Sequence, residues 1–356
     1  MKIVIKVGTQ SILSVEGSPI ESILINLVNQ ISNLQELGHK VILVSSGAVG
    51  SGRKVAAHFT PKLNRNSVGE KQLLASLGQP ELMRIYSTLF KPRGILVSQL
   101  LLTKQDFHTR QHYLNIARLL HELLKHANIV PIINENDSVA IEELMFTDND
   151  ELAGLVAAQI NADLLIILTN VDGVFTGHPN EIGSELIKEI DPNQGWPNVS
   201  TAKSALGRGG MFSKLDTARK CASLGIVTNI ANINRPNALI DIVNEKAVGT
   251  KILANRKKSN IKRWIAYHAD KNTGSIKINS DLLSLLKAKI RILSILPVGI
   301  EKLTGEFKKG DLIEIYNSEN ERIGVGIAKY DFKKLKENLG LKNKPAFIHY
   351  DHLHIF

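Results

Sequence analysis

Two lysines occupy positions where a positive charge is unfavourable unless an anion neutralises it. Lys6 lies within the apolar run Lys2–Val7, where burying an unpaired ammonium group costs free energy. Lys214 follows the glycine-rich segment 207–210 and falls in the first turn of a predicted helix, whose N-terminus already carries partial positive charge. A bound phosphate would compensate both charges, so the two lysines predict an anion site. For Lys6 the alternative is an edge position with the ammonium in solvent.

Polar side chains are concentrated in two further segments. Residues 134–138, Asn-Glu-Asn-Asp-Ser, directly follow the apolar run Ile129–Ile133, and residues 147–151, Thr-Asp-Asn-Asp-Glu, precede a predicted helix. An aspartate followed three residues later by a glutamate is the pattern of a helix capping box, which accounts for part of the second segment. Capping does not require Asn149 and Asp150 as well. Together the two segments are suited to a polar ligand that carries an amino group.

A glycine-rich segment follows another apolar run, Val41–Val44. Residues 45–54 read Ser-Ser-Gly-Ala-Val-Gly-Ser-Gly-Arg-Lys. They match neither common phosphate-binding motif, because Gly52 is followed by Arg-Lys and no third glycine completes a dinucleotide fingerprint. A glycine-rich turn between a strand and a helix still offers backbone N–H groups to an anion. The alternative is a turn with a purely structural role.

The scaffold that positions these segments is predicted from the alternation of apolar runs and helix-like segments. Continuous apolar strands separated by helices are typical of a parallel sheet covered on both faces. In such an α/β domain, ligands bind beyond the carboxyl ends of the strands, which is where the polar segments lie. The predicted strands are 2–7, 41–44, 94–97, 129–133, 164–168 and 226–230, and the predicted helices are 22–37, 113–126, 151–161 and 211–224.

The pattern changes after about residue 249, where a basic segment precedes short strand-like runs separated by glycines. Such runs favour a small, mostly β barrel or sandwich, and we predict two domains, 1–257 and 258–356. The whole chain has 44 basic and 34 acidic residues, a net charge of +10, and residues 261–356 hold 17 and 11 of them. This concentration indicates an anionic partner such as nucleic acid, or simply a lysine-rich surface.

Composition excludes several classes of protein. Apolar residues make up 43% and charged residues 22% of the 356 residues, as in a globular protein rather than a disordered or fibrous one. A single cysteine, Cys221, cannot form an internal disulfide and predicts a reducing, cytoplasmic environment. No run approaches the roughly 20 apolar residues that span a bilayer, so we expect no membrane association.

Nine stretches of the first domain, taken together, resemble the amino acid kinase family. The most specific are Asn-Glu-Asn-Asp at 134–137 and Asp-Asn-Asp at 148–150, whose order and spacing resemble the members that phosphorylate glutamate. The second domain resembles a PUA domain at 262–265, 296–300 and 305–311. Of the two most specific kinase stretches, the first begins at residue 130, and the other seven kinase stretches are 6–9, 45–48, 71–79, 99–103, 113–115, 168–173 and 209–215.

This resemblance implies a fold and a reaction. The fold is a three-layer α/β/α domain with a mainly parallel sheet, followed by a mostly β PUA-like barrel. The reaction is ATP-dependent phosphorylation of the γ-carboxylate of L-glutamate, the first step of proline biosynthesis, with Mg²⁺ as cofactor and proline as the expected inhibitor. A homo-oligomer, either a dimer or a tetramer, is also implied.

The resemblance also implies site residues, at the positions that match the family's motifs. The residues that stabilise the transferred phosphoryl group are Lys6 and Lys214. The glutamate-binding residues are Ser46, Asn134, Asp137, Asp148, Asn149 and Asp150. The ATP-binding residues are Lys6, Gly8, Thr169, Asn170, Arg208, Gly209, Gly210, Met211, Phe212, Ser213 and Lys214. No set of metal ligands is implied within the chain.

Three departures and one competing hypothesis accompany the resemblance. Asn170 stands where the family commonly has aspartate, and Arg208 and the pair Phe212-Ser213 differ from the usual residues of the loop before Lys214. The basic second domain motivates an alternative in which the chain is an RNA-binding or regulatory protein that has kept a kinase fold. Retention of Lys6, Asp137, Asn149 and Lys214 argues against that alternative.

Overall fold

The computed structural model describes residues 1–57, 67–108, 110–140, 148–197, 210–254, 274–288 and 293–355. The chain divides into two compact units, Met1–Lys257 and Lys258–Phe356. Of the helices described in these ranges, none is long and apolar enough to cross a membrane.

The first unit alternates strands and helices. Its strands are β1 (Lys2–Val7), β2 (Lys40–Val44), β3 (Leu96–Leu102), β4 (Ile129–Glu135), β5 (Leu164–Thr169), β6 (Val174–Phe175), β7 (Leu186–Ile187), β8 (Glu189–Ile190), β9 (Val227–Asn232) and β10 (Thr250–Ile252). Its helices are α1 (Thr9–Ile12), α2 (Glu21–Glu36), α3 (Ala48–Ala57), α4 (Val68–Phe90), α5 (Lys104–His108), α6 (Arg110–Leu123), α7 (Asn149–Ile160), α8 (Met211–Ser223) and α9 (Ala238–Val243).

Eight strands form one sheet in the order β3-β4-β2-β1-β5-β9-β10-β8. The six strands from β3 to β9 in this order pair in parallel, whereas β10 is antiparallel to β9 and β8 is parallel to β10. The prediction of a mainly parallel sheet is therefore confirmed. Because the six strands run in one direction, their carboxyl ends lie at the same edge of the sheet.

Side-chain alternation along the strands separates the two faces of the sheet. On β1, Ile3, Ile5 and Val7 belong to a core cluster with residues of α2, α4 and α9. The intervening residues, Val4 and Lys6, face the side of the sheet on which α7 contacts β1. Helices on both faces make this unit the three-layer α/β/α domain that was predicted.

The glycine-rich segment after β2 has a packing role that the sequence analysis did not identify. Most of it forms α3, and α3 packs against α4, a 23-residue helix that the hydrophobic pattern did not predict. A Cβ atom on Gly52 would lie 1.9 Å from the Leu74 carbonyl oxygen, and one on Gly78 would lie 1.9 Å from the Ala48 carbonyl oxygen. These two glycines let the helix backbones touch, so Gly52 is a helix-packing residue rather than part of an anion-binding turn.

Gly78→Ala is expected to lower the free energy of unfolding by about 1–3 kcal/mol, because the added methyl group must push α3 away from α4. The matched control is Gly69→Ala on the same helix, where a Cβ atom would meet nothing within 4 Å. That control should be neutral or stabilising by up to about 1 kcal/mol. Urea denaturation of both variants checks the prediction, and equal stability of the two would contradict it.

Strand β3 lies at the edge of the sheet and is displaced from its predicted position. The prediction began at Gly94, but Gly94 has a φ of +69° and ends the 3-10 turn Lys91–Arg93. The strand starts at Leu96 and extends to Leu102. The apolar run ends at Val97 because the polar residues Ser98 and Gln99 follow it, which is why the apolar pattern alone misplaced the strand.

The second unit is mostly β, as predicted. Its five strands pair in the order β12-β11-β13-β14-β15, and its core includes the aromatic side chains of Phe307, Tyr330 and Phe347. The strands are β11 (Gly274–Ile278), β12 (Ile300–Gly305), β13 (Leu312–Tyr316), β14 (Arg322–Ile327) and β15 (Leu353–Ile355), with helices α10 (Ser280–Ala288) and α11 (Phe332–Asn338). Of the basic linker predicted at 251–263, residues 251 and 252 belong to β10, and residues 255–263 lie outside the described residues.

Candidate active site

The carboxyl ends of β1, β2 and β4 meet the N-terminus of α7 and bring together residues that are far apart in the sequence. Lys6 is the penultimate residue of β1, Ser46 follows β2, and Asn134 is the penultimate residue of β4. Asn149 and Asp150 form the first turn of α7. One site is therefore lined by residues from three segments: the glycine-rich segment 45–54 and the two polar segments, 134–138 and 147–151.

The centre of the site is a buried cluster of two lysines and one aspartate. Lys6 Nζ lies 2.6 Å from Asp150 Oδ1, and Lys214 Nζ lies 2.9 Å from Asp150 Oδ2. Asp150 is fully buried, and Lys6 and Lys214 are only 5% and 8% exposed. Since β1 pairs with β2 on one side and β5 on the other, Lys6 is in the middle of the sheet and the edge alternative is wrong.

Asp150 is ionised although it is buried. Burial by itself would raise the pKa of Asp150, but the charges of Lys6 and Lys214 and their hydrogen bonds outweigh it and lower that pKa to about 2. Asp150 is therefore ionised at neutral pH and supplies one negative charge for two ammonium groups. Two lysine side chains thus share one directly paired carboxylate, and this arrangement favours the approach of an anion.

Asp148 caps α7 and lies next to this cluster. Its Oδ1 accepts hydrogen bonds from the backbone N–H groups of Asp150 at 2.9 Å and of Glu151 at 3.2 Å. Burial, followed by the charge of Asp150, raises the pKa of Asp148, although a hydrogen bond with Ser213 and the two lysines oppose the rise. Glu151, the other half of the predicted capping box, forms an ion pair with Lys104 at 2.8 Å.

The stability of the cluster is expected to depend on pH in acid. Because the pKa of Asp150 falls from 3.8 to about 2 on folding, its stabilisation is complete above the unfolded pKa and is lost as the pH falls through about 2. The difference in free energy of unfolding between the wild type and Asp150→Asn should therefore narrow by on the order of 2 kcal/mol between about pH 5 and about pH 2. Denaturant titrations across this range measure it. If the difference in free energy of unfolding between the two proteins stayed constant with pH, Asp150 would not be ionised and paired with the lysines.

A network of side-chain amides lies beside the charged cluster. Asn149 Nδ2 lies 2.8 Å from the Ser45 carbonyl oxygen, 2.7 Å from Ser46 Oγ and 2.9 Å from Asn134 Oδ1. Asn134, which is 1% exposed, donates from Nδ2 to Gln79 Oε1 at 2.9 Å. Three of the predicted glutamate-binding residues, Ser46, Asn134 and Asn149, are thus joined by direct hydrogen bonds.

Two residues of the site were missed by sequence reasoning, and both lie on α4. Gln79 contacts Asn134, as described above. Tyr86 is fully buried, and its hydroxyl lies 2.9 Å from Ser45 Oγ. Burial raises the pKa of Tyr86, so this hydroxyl keeps its proton. Helix α4 was not predicted, so its pattern could not indicate either residue. The sequence pointed to Gln79 only in that it lies in the stretch 71–79, which resembles the family.

The N-terminus of α8 lies at the edge of the cluster through Lys214. Gly210 occupies the N-cap position without a side-chain hydrogen bond, and none of the described residues in the first turn of α8 is acidic. Met211 and Ser213 are partly buried, whereas Phe212 is 58% exposed. Free backbone N–H groups beside a lysine can bind phosphate oxygens. Arg208 and Gly209 lie outside the described residues.

Other predicted nucleotide-binding residues follow β1 and β5, the neighbouring strands of the sheet centre. Gly8 directly follows β1, and a Cβ atom there would lie 3.5 Å from Lys6 Nζ. Thr169 ends β5, and Asn170 Nδ2 donates to the Gln10 carbonyl oxygen at 3.2 Å. The neutral amide at position 170 thus joins the loops that follow the two strands. Asp137 lies half-buried in the turn after β4.

Comparison with known proteins agrees with this fold. The model of the amino acid kinase family matches residues 1–232, and the model of the PUA domain matches residues 287–344. An isopentenyl phosphate kinase of T. acidophilum superposes with a TM-score of 0.50 at 18% identity, covering 71% of this chain and 100% of that one. The superposition supports the fold of the first unit.

Full-length relatives extend the comparison to both units. Glutamate 5-kinase of Bacteroides thetaiotaomicron is 40% identical over 361 residues, covering 99% of this chain and 98% of the relative. Glutamate 5-kinase of Chlorobaculum tepidum is 43% identical, covering 99% and 97%. The chain belongs to the amino acid kinase family. Within that family, its full-length relatives place it among the glutamate 5-kinases that carry a PUA domain.

Proposed function

We propose that this protein transfers the γ-phosphoryl group of ATP to the γ-carboxylate of L-glutamate, giving L-glutamyl 5-phosphate and ADP. This is the first step of proline biosynthesis. The observation that carries the proposal is the buried cluster of Lys6, Asp150 and Lys214 beside the Asn134–Asn149 amide network. The full-length relatives named glutamate 5-kinase support the choice of substrate.

The reaction needs no general base, because a carboxylate is already ionised at neutral pH. One oxygen of the glutamate γ-carboxylate forms a bond to the γ-phosphorus of ATP, the bond from that phosphorus to the β,γ-bridging oxygen breaks, and ADP leaves with the electron pair. Catalysis then consists of bringing two anions together and stabilising the charge on the transferred group. The two lysines of the cluster serve both purposes.

Within this proposal, Lys6 and Lys214 contact the transferred phosphoryl group, and Asp150 holds the two ammonium groups in place. Ser46, Asn134 and Asn149 form the wall of the glutamate site, with Asp137 and Asp148 close to it. The nucleotide binds along Gly8, Thr169 and Asn170 and at the start of α8. The nucleotide-binding residues of the α8 loop are Arg208, Gly209, Gly210, Met211, Phe212, Ser213 and Lys214.

Mg²⁺ fits this site as an ion that arrives on the nucleotide. No group of three His, Cys, Asp or Glu side chains able to hold a metal occurs among the residues that the structure describes, and Asp150 is engaged by both lysines. Mg²⁺ commonly binds through substrate phosphates and water with few protein ligands. When bound it would neutralise phosphate charge, while Lys6 and Lys214 act from the protein side.

Four further properties remain part of the proposal: inhibition by proline, the oligomeric state, RNA binding and the cellular location. Proline, as the end product, shares an α-carboxylate and an α-nitrogen with glutamate and would inhibit by occupying the same site. A dimer or tetramer and RNA binding by the second unit remain predictions. A single cysteine and the use of ATP and glutamate favour the cytoplasm.

The proposed activity is tested by trapping the acyl phosphate with hydroxylamine. Incubation with ATP, Mg²⁺ and hydroxylamine should give γ-glutamyl hydroxamate with L-glutamate. L-aspartate should give no hydroxamate, and neither N-acetyl-L-glutamate nor uridylate should support comparable ADP formation. Equal turnover of one of these three compounds would instead assign the protein to a sister activity of the family. Salt-dependent RNA binding without turnover would favour the regulatory alternative.

A further inference from the structure

We infer that Gln79 on α4 is a positioning residue that holds Asn134, and through it Asn149, in the place from which Asn149 presents its carbonyl oxygen to the substrate. The inference rests on the proposed function and adds a residue that lies outside the polar segments identified from the sequence. Gln79 is 6% exposed and reaches the site through Asn134. It therefore acts on the substrate only through the amide network.

Two backbone groups determine the orientation of the whole network. The N–H group of Glu135 can only donate, so the Asn134 side-chain atom 2.9 Å away must be its oxygen. The carbonyl oxygen of Ser45 can only accept, so the Asn149 atom 2.8 Å away must be its nitrogen. Asn134 Oδ1 then faces Asn149 Nδ2. These assignments leave Asn134 Nδ2 facing Gln79, so the Gln79 atom that accepts its hydrogen bond must be the amide oxygen.

Gln79 is held in the orientation that this chain of bonds requires. Its Oε1 accepts from Asn134, whereas its buried Nε2 has no hydrogen-bond partner among the residues that the structure describes. Turning the amide over would place two N–H donors face to face, so the observed orientation is retained despite the unsatisfied donor. The close approach of α3 and α4 at Gly78 fixes the helix one residue away.

The consequence for substrate binding concerns Asn149. Its NH₂ group donates to the Ser45 carbonyl oxygen, Ser46 Oγ and Asn134 Oδ1. The atom of the Asn149 amide that can bind a ligand is therefore its carbonyl oxygen, Oδ1. An acceptor of this kind binds a hydrogen-bond donor, and the donor that glutamate carries is its α-ammonium group. Gln79 thus contributes to selection of an amino acid over a plain dicarboxylate.

The test compares Gln79→Leu, which removes the acceptor, with Gln79→Glu, which keeps an acceptor oxygen in either protonation state. Gln79→Leu should raise the KM for glutamate about tenfold and leave the KM for ATP within about twofold. Glutarate, which lacks the amino group, serves as a competitive inhibitor, and its Ki should change little. Gln79→Glu should recover most of the glutamate affinity. Gln79→Met replaces the leucine variant if that variant fails to fold.

Gln35→Leu is the matched control. Gln35 is also a buried amide, and it donates to the Ile129 carbonyl oxygen at 3.0 Å, at the opposite end of β4. This variant should lose stability without a change in the KM for glutamate. If the KM for glutamate is unchanged in Gln79→Leu, or if glutamate and glutarate binding weaken equally, the role of Gln79 is wrong while the proposed function still stands. A wild-type protein that does not turn over glutamate would overturn the proposed function as well.

Discussion

Lys214→Ala is expected to lower kcat by about 10³-fold while the protein stays folded. The transferred phosphoryl group gains negative charge in a site from which much of the water is excluded, where a fixed ammonium group is worth far more than in bulk water. Asp150 retains Lys6 at 2.6 Å, so removal of Lys214 leaves no unpaired buried charge behind. Steady-state kinetics with glutamate and ATP measure the loss, and circular dichroism checks the fold.

The control for this variant is Lys220→Ala on the same helix. Lys220 pairs with Asp216 at 3.0 Å near the surface, and such pairs contribute at most about 1 kcal/mol to stability. We expect its kcat to equal that of the wild type. Near-normal turnover of Lys214→Ala, or an equal loss in Lys220→Ala, would contradict the role given to Lys214.

Asp150→Asn is expected to be the most destabilising single change in the site. It removes the carboxylate that is paired directly with both buried ammonium groups, and breaking a buried ion pair in this way costs about 3–5 kcal/mol. Activity should also fall by at least about 10²-fold, because repulsion moves the ammonium groups apart. Denaturant unfolding and steady-state kinetics measure the two effects.

A double variant separates charge repulsion from a general loss of packing. Lys6→Met removes one of the two ammonium groups, so Lys6→Met/Asp150→Asn should be more stable than Asp150→Asn alone and still inactive. Asp216→Asn on the surface of α8 serves as the control and should change stability by less than about 1 kcal/mol. If the double variant loses as much free energy of unfolding as Lys6→Met and Asp150→Asn lose together, repulsion between the lysines is not the cause of the instability of Asp150→Asn.

The sheet could be predicted because its central strands are recognisable from their own residues. β1, β2 and β5 are buried on both faces and therefore read as continuous apolar runs. Edge strand β3 contains the polar residues Ser98 and Gln99, and its boundaries were misplaced. Helix α4 was missed because its buried positions include Glu70, Gly78 and Gln79 and because Pro80 lies within it, all of which weaken a helical hydrophobic pattern.

The site was predicted in part. The position of Lys6 in an apolar strand and of Lys214 at a helix start indicated that both need an anion, and the structure supplies one from within the protein, Asp150. A sequence does not reveal that a carboxylate 144 positions from Lys6 lies within 2.6 Å of it. The amide chain from Asn149 to Gln79 likewise joins three separate elements. Only the fold brings such groups together.

The central claim is that an oxygen of the glutamate γ-carboxylate attacks the γ-phosphorus of ATP, and isotope transfer tests it most directly. L-Glutamate labelled with ¹⁸O in its γ-carboxylate is incubated with the protein, ATP and Mg²⁺. The acyl phosphate then cyclises through its own amino group and releases phosphate. We expect one ¹⁸O atom in each released phosphate, detected by mass spectrometry. Phosphate without ¹⁸O, released at the rate of ADP formation, would mean that water and not glutamate accepts the phosphoryl group.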